Sequence, residues 1–383
     1  MRGACFSWAI LLVFAAVANA QIGKTVPVPA GSPEDKALSE IYAATDPAQK
    51  IALLDKFMAD YGKGDMALLA YQLYVGAYQA QKDYDKSFEY GDKVLALDPD
   101  NFSTVVLLAR AAQEKGDAAK LFDYGERAAA ILKRYKDAPR PEGASASEWQ
   151  QRQAATLRSV TEDLSYVEYA MFTAAFETQA PVARAALLER FAAAFPDSPY
   201  VTNVEESEAF AYQQAQNYPK MLDTAQKLIA ADPNNFTMLV LLADYWSERG
   251  QAADMDKAEA SAKKALDLLA QAKKPNNIPN EQWQRLSTLQ EGLAYSALGQ
   301  VYVIKGRNAS ALDAFKLANP LLKSSPTAYG RNLYRLGFTL AKMQRMDEAR
   351  VVLTEAVSIN SPYRALAQQT LDKIGGSART RHP

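Results

Sequence analysis

The chain has 383 residues, of which 49% are hydrophobic and 23% charged, enough apolar material for a large core. Its 43 Lys and Arg face 44 Asp and Glu. Nucleic-acid binders ordinarily carry a basic excess because phosphate contacts supply most of their affinity, so no nucleic-acid partner is expected.

Residues 1–20 read as a secretory signal. Arg2 is the positive start, Trp8 to Val17 the apolar stretch, and Ala18-Asn19-Ala20 the small-residue cleavage site. The apolar run is about half the roughly 20 residues that a spanning helix needs. Cleavage after Ala20 predicts a periplasmic or secreted product. It also removes Cys5, the only cysteine, so no disulfide is expected and stability falls to helix packing. No later stretch is long and apolar enough to span a bilayer, so a soluble product without a transmembrane segment is expected.

A first block of helical hairpins covers 31–135. A loose copy at 31–64 precedes Leu68 to Asn101 (LLAYQLYVGAYQAQKDYDKSFEYGDKVLALDPDN). There Tyr71, Tyr74 and Tyr78, spaced three and four apart, form one apolar helical stripe, and Phe88, Gly91, Val94 and Leu95 form a second. Lys82-Asp83-Tyr84 makes the turn between them, and Asp98-Pro99-Asp100-Asn101 ends the second helix. Such a hairpin has apolar surface left on both sides, which another hairpin must cover. Phe102 to Tyr135 repeats the spacing with Leu108, Ala109, Ala112, Gly116 and Ala128.

A second block covers 136–274 and opens with the Pro/Gly/Ser-rich break Ala138 to Ser147. No Gly or Pro interrupts Ser147 to Thr178, which predicts one extended helix of roughly 48 Å at about 1.5 Å per residue. Looser hairpins follow at about 165–198, 202–235 and 236–274. Within them Glu205, Glu206 and Glu208 are read as a solvated helix face rather than acid–base machinery.

The third block, 275–376, follows a second break at Lys273 to Asn280. Leu298-Gly299, Tyr302, Gly306, Ala311, Phe315 and Ala318 mark one hairpin. Gly330 to Tyr363 marks the next, with Leu333, Leu336, Gly337, Leu340, Asp347, Glu348, Ala349, Leu353, Ala356 and Pro362. Arg364 to Ile374 reads as a capping helix and 377–383 as a disordered tail holding the only histidine, His382.

A longer period overlies these units. A shift of 134 residues sets Phe57 on Phe191, Tyr84 on Tyr218, Asn101-Phe102 on Asn235-Phe236, Gly116 on Gly250 and Trp149 on Trp283. A block of about four hairpins has the signature of a duplication.

The 34-residue units resemble the tetratricopeptide repeat, whose pattern runs from a large residue through L-G, Tyr, Ala and an aromatic to Pro. Val75, where Gly is usual, and Gly91, where an aromatic is usual, depart from it. The resemblance implies an all-α, right-handed superhelical solenoid of about eight hairpins with a C-terminal capping helix. It also implies a non-enzymatic protein–protein interaction scaffold or adaptor that holds a protein or peptide on the concave face lined by first helices.

Carried over by position, that groove includes Gln72, Gly76 and Gln79, then Arg110 and Gln113, then Tyr166, Tyr169, Thr173 and Phe176. Asn203, Glu206, Phe210 and Gln213 follow, with Tyr334 and Phe338 in the last unit. Family members that grip acidic chaperone tails carry Lys, Asn and Arg there, whereas this groove reads as aromatic and amide-rich with few cations. Leu187 to Val201 (LLERFAAAFPDSPYV) is similar to hairpins in periplasmic tetratricopeptide proteins of envelope assembly, making that machinery the candidate source of a partner. No catalytic, metal or cofactor residues are expected. A periplasmic glycan- or solute-binding protein using the aromatic groove is the alternative, and the oligomeric state is left open.

Overall fold

A computed structural model describes residues 22–276 and 278–379, so the signal sequence at 1–20 and the last four tail residues lie outside the described residues. The chain divides into two compact units, one ending at Val201 and the other starting at Thr202, a division that falls inside the 136–274 block. Among the described residues the regular structure is helical.

The first unit holds α1 (Pro33–Ala43), α2 (Pro47–Tyr61), α3 (Asp65–Ala80), α4 (Tyr84–Leu97), α5 (Phe102–Lys115), α6 (Ala118–Lys136), α7 (Ala146–Ser159), α8 (Thr161–Glu177) and α9 (Pro181–Ala194). The second holds α10 (Val201–Gln214), which begins at the junction, α11 (Tyr218–Ala231), α12 (Phe236–Arg249), α13 (Met255–Gln271), α14 (Asn280–Ile304), α15 (Asn308–Leu321), α16 (Pro326–Lys342), α17 (Met346–Ser358) and α18 (Arg364–Arg379). Successive helices pair into packed hairpins α1/α2, α3/α4, α5/α6 and α8/α9 in one unit, and α12/α13, α14/α15 and α16/α17 in the other. The sequence spacing also pairs α10 with α11, and two side-chain contacts join them, Lys227 with Glu205 at 2.6 Å and Lys220 Nζ with the Tyr212 hydroxyl at 3.4 Å. The cap α18 packs on α16 and α17 and continues to Arg379, three residues into the segment read as tail.

Local chemistry explains where the helices start and stop. Pro33, Pro47, Pro181 and Pro326 stand at first helical positions, where a missing N–H costs nothing. Asn101 and Asn235 cap α5 and α12, their side-chain oxygens accepting from Thr104 N and Met238 N at 3.2 and 3.0 Å. The same helices end in left-handed glycines, Gly116 at φ 75° and Gly250 at φ 69°. Helix starts recur at the 134-residue shift, Pro47 with Pro181, Tyr84 with Tyr218, Phe102 with Phe236 and Ala146 with Asn280.

The helix predicted over Ser147 to Thr178 and its counterpart at the 134-residue shift differ. α14 runs unbroken for 25 residues, whereas the helix expected over Ser147 to Thr178 is divided at Val160 into α7 and α8. Ser159 Oγ donates to the Thr156 carbonyl at 2.8 Å and Thr161 Oγ1 to the Leu157 carbonyl at 2.9 Å, competing for acceptors in the helical ladder. The equivalent Leu293-Ala294-Tyr295 of α14 offers no such hydroxyls. Neither Gly nor Pro marks the break, and the hydroxyl bonds alone do not account for it, since Ser287 donates to the Trp283 carbonyl at 2.9 Å inside the unbroken α14.

The stripes read from the sequence form the core. Tyr74 is 2% exposed, its ring lies 4.3 Å from Tyr90, and its hydroxyl donates to Asp55 at 2.5 Å; burial, then Asp55, pushes its pKa up. Tyr71 and Tyr78 pack half-buried around it. Gly91 departs from the family pattern for a steric reason, since a Cβ there would fall 2.5 Å from the Leu108 methyls.

One ion cluster makes acid stability measurable. On α13, Glu259 accepts 2.6 Å bonds from Lys263 and Lys305, which push its pKa down to about 2. A depressed carboxylate stabilises the fold fully above its ordinary value and loses that contribution as pH falls toward the folded value. Denaturation of wild type and Glu259→Gln should therefore show a stability gap that closes between about pH 4.5 and about pH 2. A gap constant across that window would contradict the pairing.

Candidate functional site

In the first unit, α3 packs on α5 and α5 on α8, so these first helices share one face. Gln79 lies half-buried on α3, with Gln72 half-buried and Gly76 exposed. Arg110 of α5 pairs with Asp163 of α8 at 3.1 Å, and its guanidinium lies 3.8 Å over the Tyr166 ring. The Tyr166 hydroxyl donates in turn to Gln113 Oε1, and burial pushes its pKa up. Gln113 and Thr173 also line a hollow of about 240 Å³ between the α5/α6 turn and α8.

Beyond Tyr166 the α8 stripe becomes an open aromatic surface. Phe172 sits 4.4 Å from Phe176 and 4.7 Å from Tyr200, with Tyr169 at 6.4 Å from both Phe172 and Tyr200. Tyr169 remains 56% exposed and Phe176 36% exposed. The structure thus brings Arg110, Gln113, Tyr166, Tyr169 and Phe176 onto one continuous surface, with Gln79 one helix away. Asp163 and Phe172 extend it. Their three- and four-residue spacings from Tyr166 and Phe176 are the signal that could have found them. Tyr200 lies in the segment after α9, where helical spacing gives no cue.

In the second unit, Asn203 is exposed on α10, and Phe210 and Gln213 are half-buried there. On α16, Tyr334 packs against Tyr363 at 6.1 Å and Phe338 at 6.3 Å, and Phe338 is 45% exposed.

The expectation of few cations on this face needs correction. Arg331 and Arg335 share the Tyr334–Phe338 stripe, and both reach past α14 to α12. Arg331 donates to both Asp244 oxygens at 3.1 and 2.7 Å and to Glu248 at 2.8 Å. Arg335 pairs with Glu248 and donates to Ser296 Oγ at 3.5 Å, a small side chain that leaves room for the guanidinium. Burial opposes the Arg331 charge, but Asp244 and Glu248 overcome it and hold its pKa up; burial, then Arg331, pulls the Arg335 pKa down. Both arginines are occupied by acids 83 to 87 residues away in sequence, so they offer little free charge for gripping a carboxylate tail.

The acidic run on α10 is likewise not a simple solvated face. Glu205 holds Lys227, Glu206 accepts from the capping Asn235 at 2.7 Å, and Glu208 is buried. Burial pushes the Glu206 pKa up. The run serves packing and capping, which a charge count alone cannot show.

The α16/α17 hairpin carries the family likeness found along the chain. Gly337 of α16 meets Leu353 of α17, where a Cβ would fall 2.6 Å from its Cγ, and Leu333, Leu336, Ala349 and Ala356 fill the seam. Residues 330–363 match the tetratricopeptide repeat. No curated protein matches the chain. Among solved structures, the tetratricopeptide domain of P58(IPK) is similar at 11% identity and a TM-score of 0.31, covering 91% of this chain and 100% of that one. Yeast Tom70 is similar at 12% identity and a TM-score of 0.33, covering 91% and 96%. At those scores the hairpin reading rests on the helices themselves and on the match at 330–363. Among the described residues no cluster of His, Cys, Asp or Glu is placed to hold a metal, and no helix is long and apolar enough to cross a membrane.

Proposed function

We propose that the chain is a non-enzymatic adaptor of the bacterial periplasm that binds a protein or peptide segment on the first-helix face of its first unit. The supporting observation is the exposed pair Tyr169 and Phe176, held by the half-buried Phe172 and Tyr200 and bordered by the Arg110–Tyr166–Gln113 cluster. Aromatic rings held open beside hydrogen-bonding groups suit partly apolar segments, since rings supply contact area at low entropic cost. The pre-set packing of Phe172 between Phe176 and Tyr200 lowers that cost further. The export signal read at 1–20 and the envelope-type hairpin at Leu187 to Val201 support the compartment and make envelope-assembly machinery the first place to look for the partner.

Affinity capture from bacterial envelope extract tests this reading. Wild type is expected to retain a defined protein. Tyr169→Ala, at the more exposed ring, should lower that retention by about thirtyfold, the size of one interface hot spot, with the fold retained by circular dichroism. Equal retention by both forms, or retention of glycan fragments with no protein, would overturn it.

A further inference from the structure

The hollow of about 240 Å³ between the α5/α6 turn and α8 is smaller than the roughly 300–1,000 Å³ of sites that enclose a whole small molecule, and suits a single side chain. The half-buried Ala118 and Ala174 give it an apolar wall. It also adjoins the aromatic surface. Thr173, which lines it, lies four residues after Tyr169 and three before Phe176 on α8, so the three share one helix face.

Its charge has one sign. Asp117 and Glu177 line the hollow, and no cation does. The cations flanking Asp117 in sequence are engaged elsewhere, Lys115 with Asp85 at 2.5 Å and Lys120 at 4.8 Å over the Phe88 ring. Glu177 is exposed in the last turn of α8, a turn that holds no basic residue. Its charge therefore adds to the negative end of the helix dipole instead of offsetting it. Both features favour a positive group in this hollow and oppose a negative one.

We propose that the hollow takes a lysine or arginine side chain of the bound segment, its alkyl stem along Ala118 and Ala174 and its charge at the rim formed by Asp117 and Glu177. The inference rests on the first-helix face being the protein-binding surface, and it gives the chemistry of the partner: a basic residue beside aromatic or aliphatic ones. Long basic side chains suit such a place, because the stem covers apolar surface while the head stays with water and carboxylates.

Selection of a random peptide library, displayed on phage, against the full chain tests it. The selected peptides are expected to carry Lys or Arg beside aromatic or aliphatic residues. In isothermal titration, norleucine in place of that basic residue should weaken a selected peptide about tenfold, the scale of one charge-assisted contact. Asp117→Asn, which keeps the cap of α6, combined with Glu177→Gln should erase the difference. Glu177→Gln alone, at an exposed position that the fold does not need, should shrink it. Asp92→Asn with Glu142→Gln removes the same charge from exposed sites elsewhere and should leave it intact. Selected peptides without basic residues would overturn this proposal and leave the protein-binding reading standing, whereas no selected peptide at all would overturn both. An undiminished norleucine penalty in the Asp117 and Glu177 variants, or an equal loss of it in the Asp92 and Glu142 control, would also overturn the proposal.

Discussion

Asp244→Ala is expected to cost about 3–5 kcal/mol, measured by chemical denaturation followed through helical circular dichroism. The Asp244 and Arg331 side chains are 13% and 12% exposed and joined by two hydrogen bonds, so removing the acid strands a guanidinium already out of water. Glu248 cannot compensate, because it also serves Arg335, which is 6% exposed. Removing both charges together, as Asp244→Leu with Arg331→Met, should recover most of the loss, since a buried pair replaced by apolar groups is often neutral. A loss under about 1 kcal/mol for the single variant would match an exposed surface pair instead. The network ties α12, α14 and α16 together, so hydrogen exchange in those helices should rise first in Asp244→Ala.

Phe315→Ala should cost a comparable amount, about 3–5 kcal/mol, for a different reason. Phe315 is fully buried at the centre of the second unit's core, and the Asn332 amide donates to its carbonyl at 3.0 Å. Its ring fills the space over Gly299, where a Cβ would fall 2.4 Å from a ring carbon. Gly299→Ala alone should therefore overpack the seam by about 1–3 kcal/mol. In the Phe315→Ala background the added methyl enters the vacated space, so the double variant should lose less than the sum of the single losses. Additive losses would mean that the two positions do not share a seam.

What the sequence made legible was local. Proline at first helical positions, Asn caps and left-handed Gly ends state helix boundaries within a few residues of themselves, and the 134-residue shift carries them from α5 to α12. The division of α7 from α8 at Val160 escaped because the stretch holds neither Gly nor Pro, the residues that announce a helix end in sequence. Tyr169 and Phe176 could be placed on one surface from spacing alone, and so could Arg331 and Arg335 beside Tyr334. Their neutralisation could not, because Asp244 and Glu248 reach them only after α13, α14 and α15 have folded between. The α10 carboxylates escaped for the same reason, since their partners Lys227 and Asn235 sit on later helices.

Recognition by the first-helix face is tested most directly by site-specific photocrosslinking in living cells. A photoreactive aromatic residue at Tyr169 is compared with one at Asp92, an exposed position on the second helix α4. The expected result is a discrete protein adduct from position 169, mapping to one segment of one partner, and none from position 92. Adducts of equal yield from both positions, or no protein adduct from position 169, would contradict it.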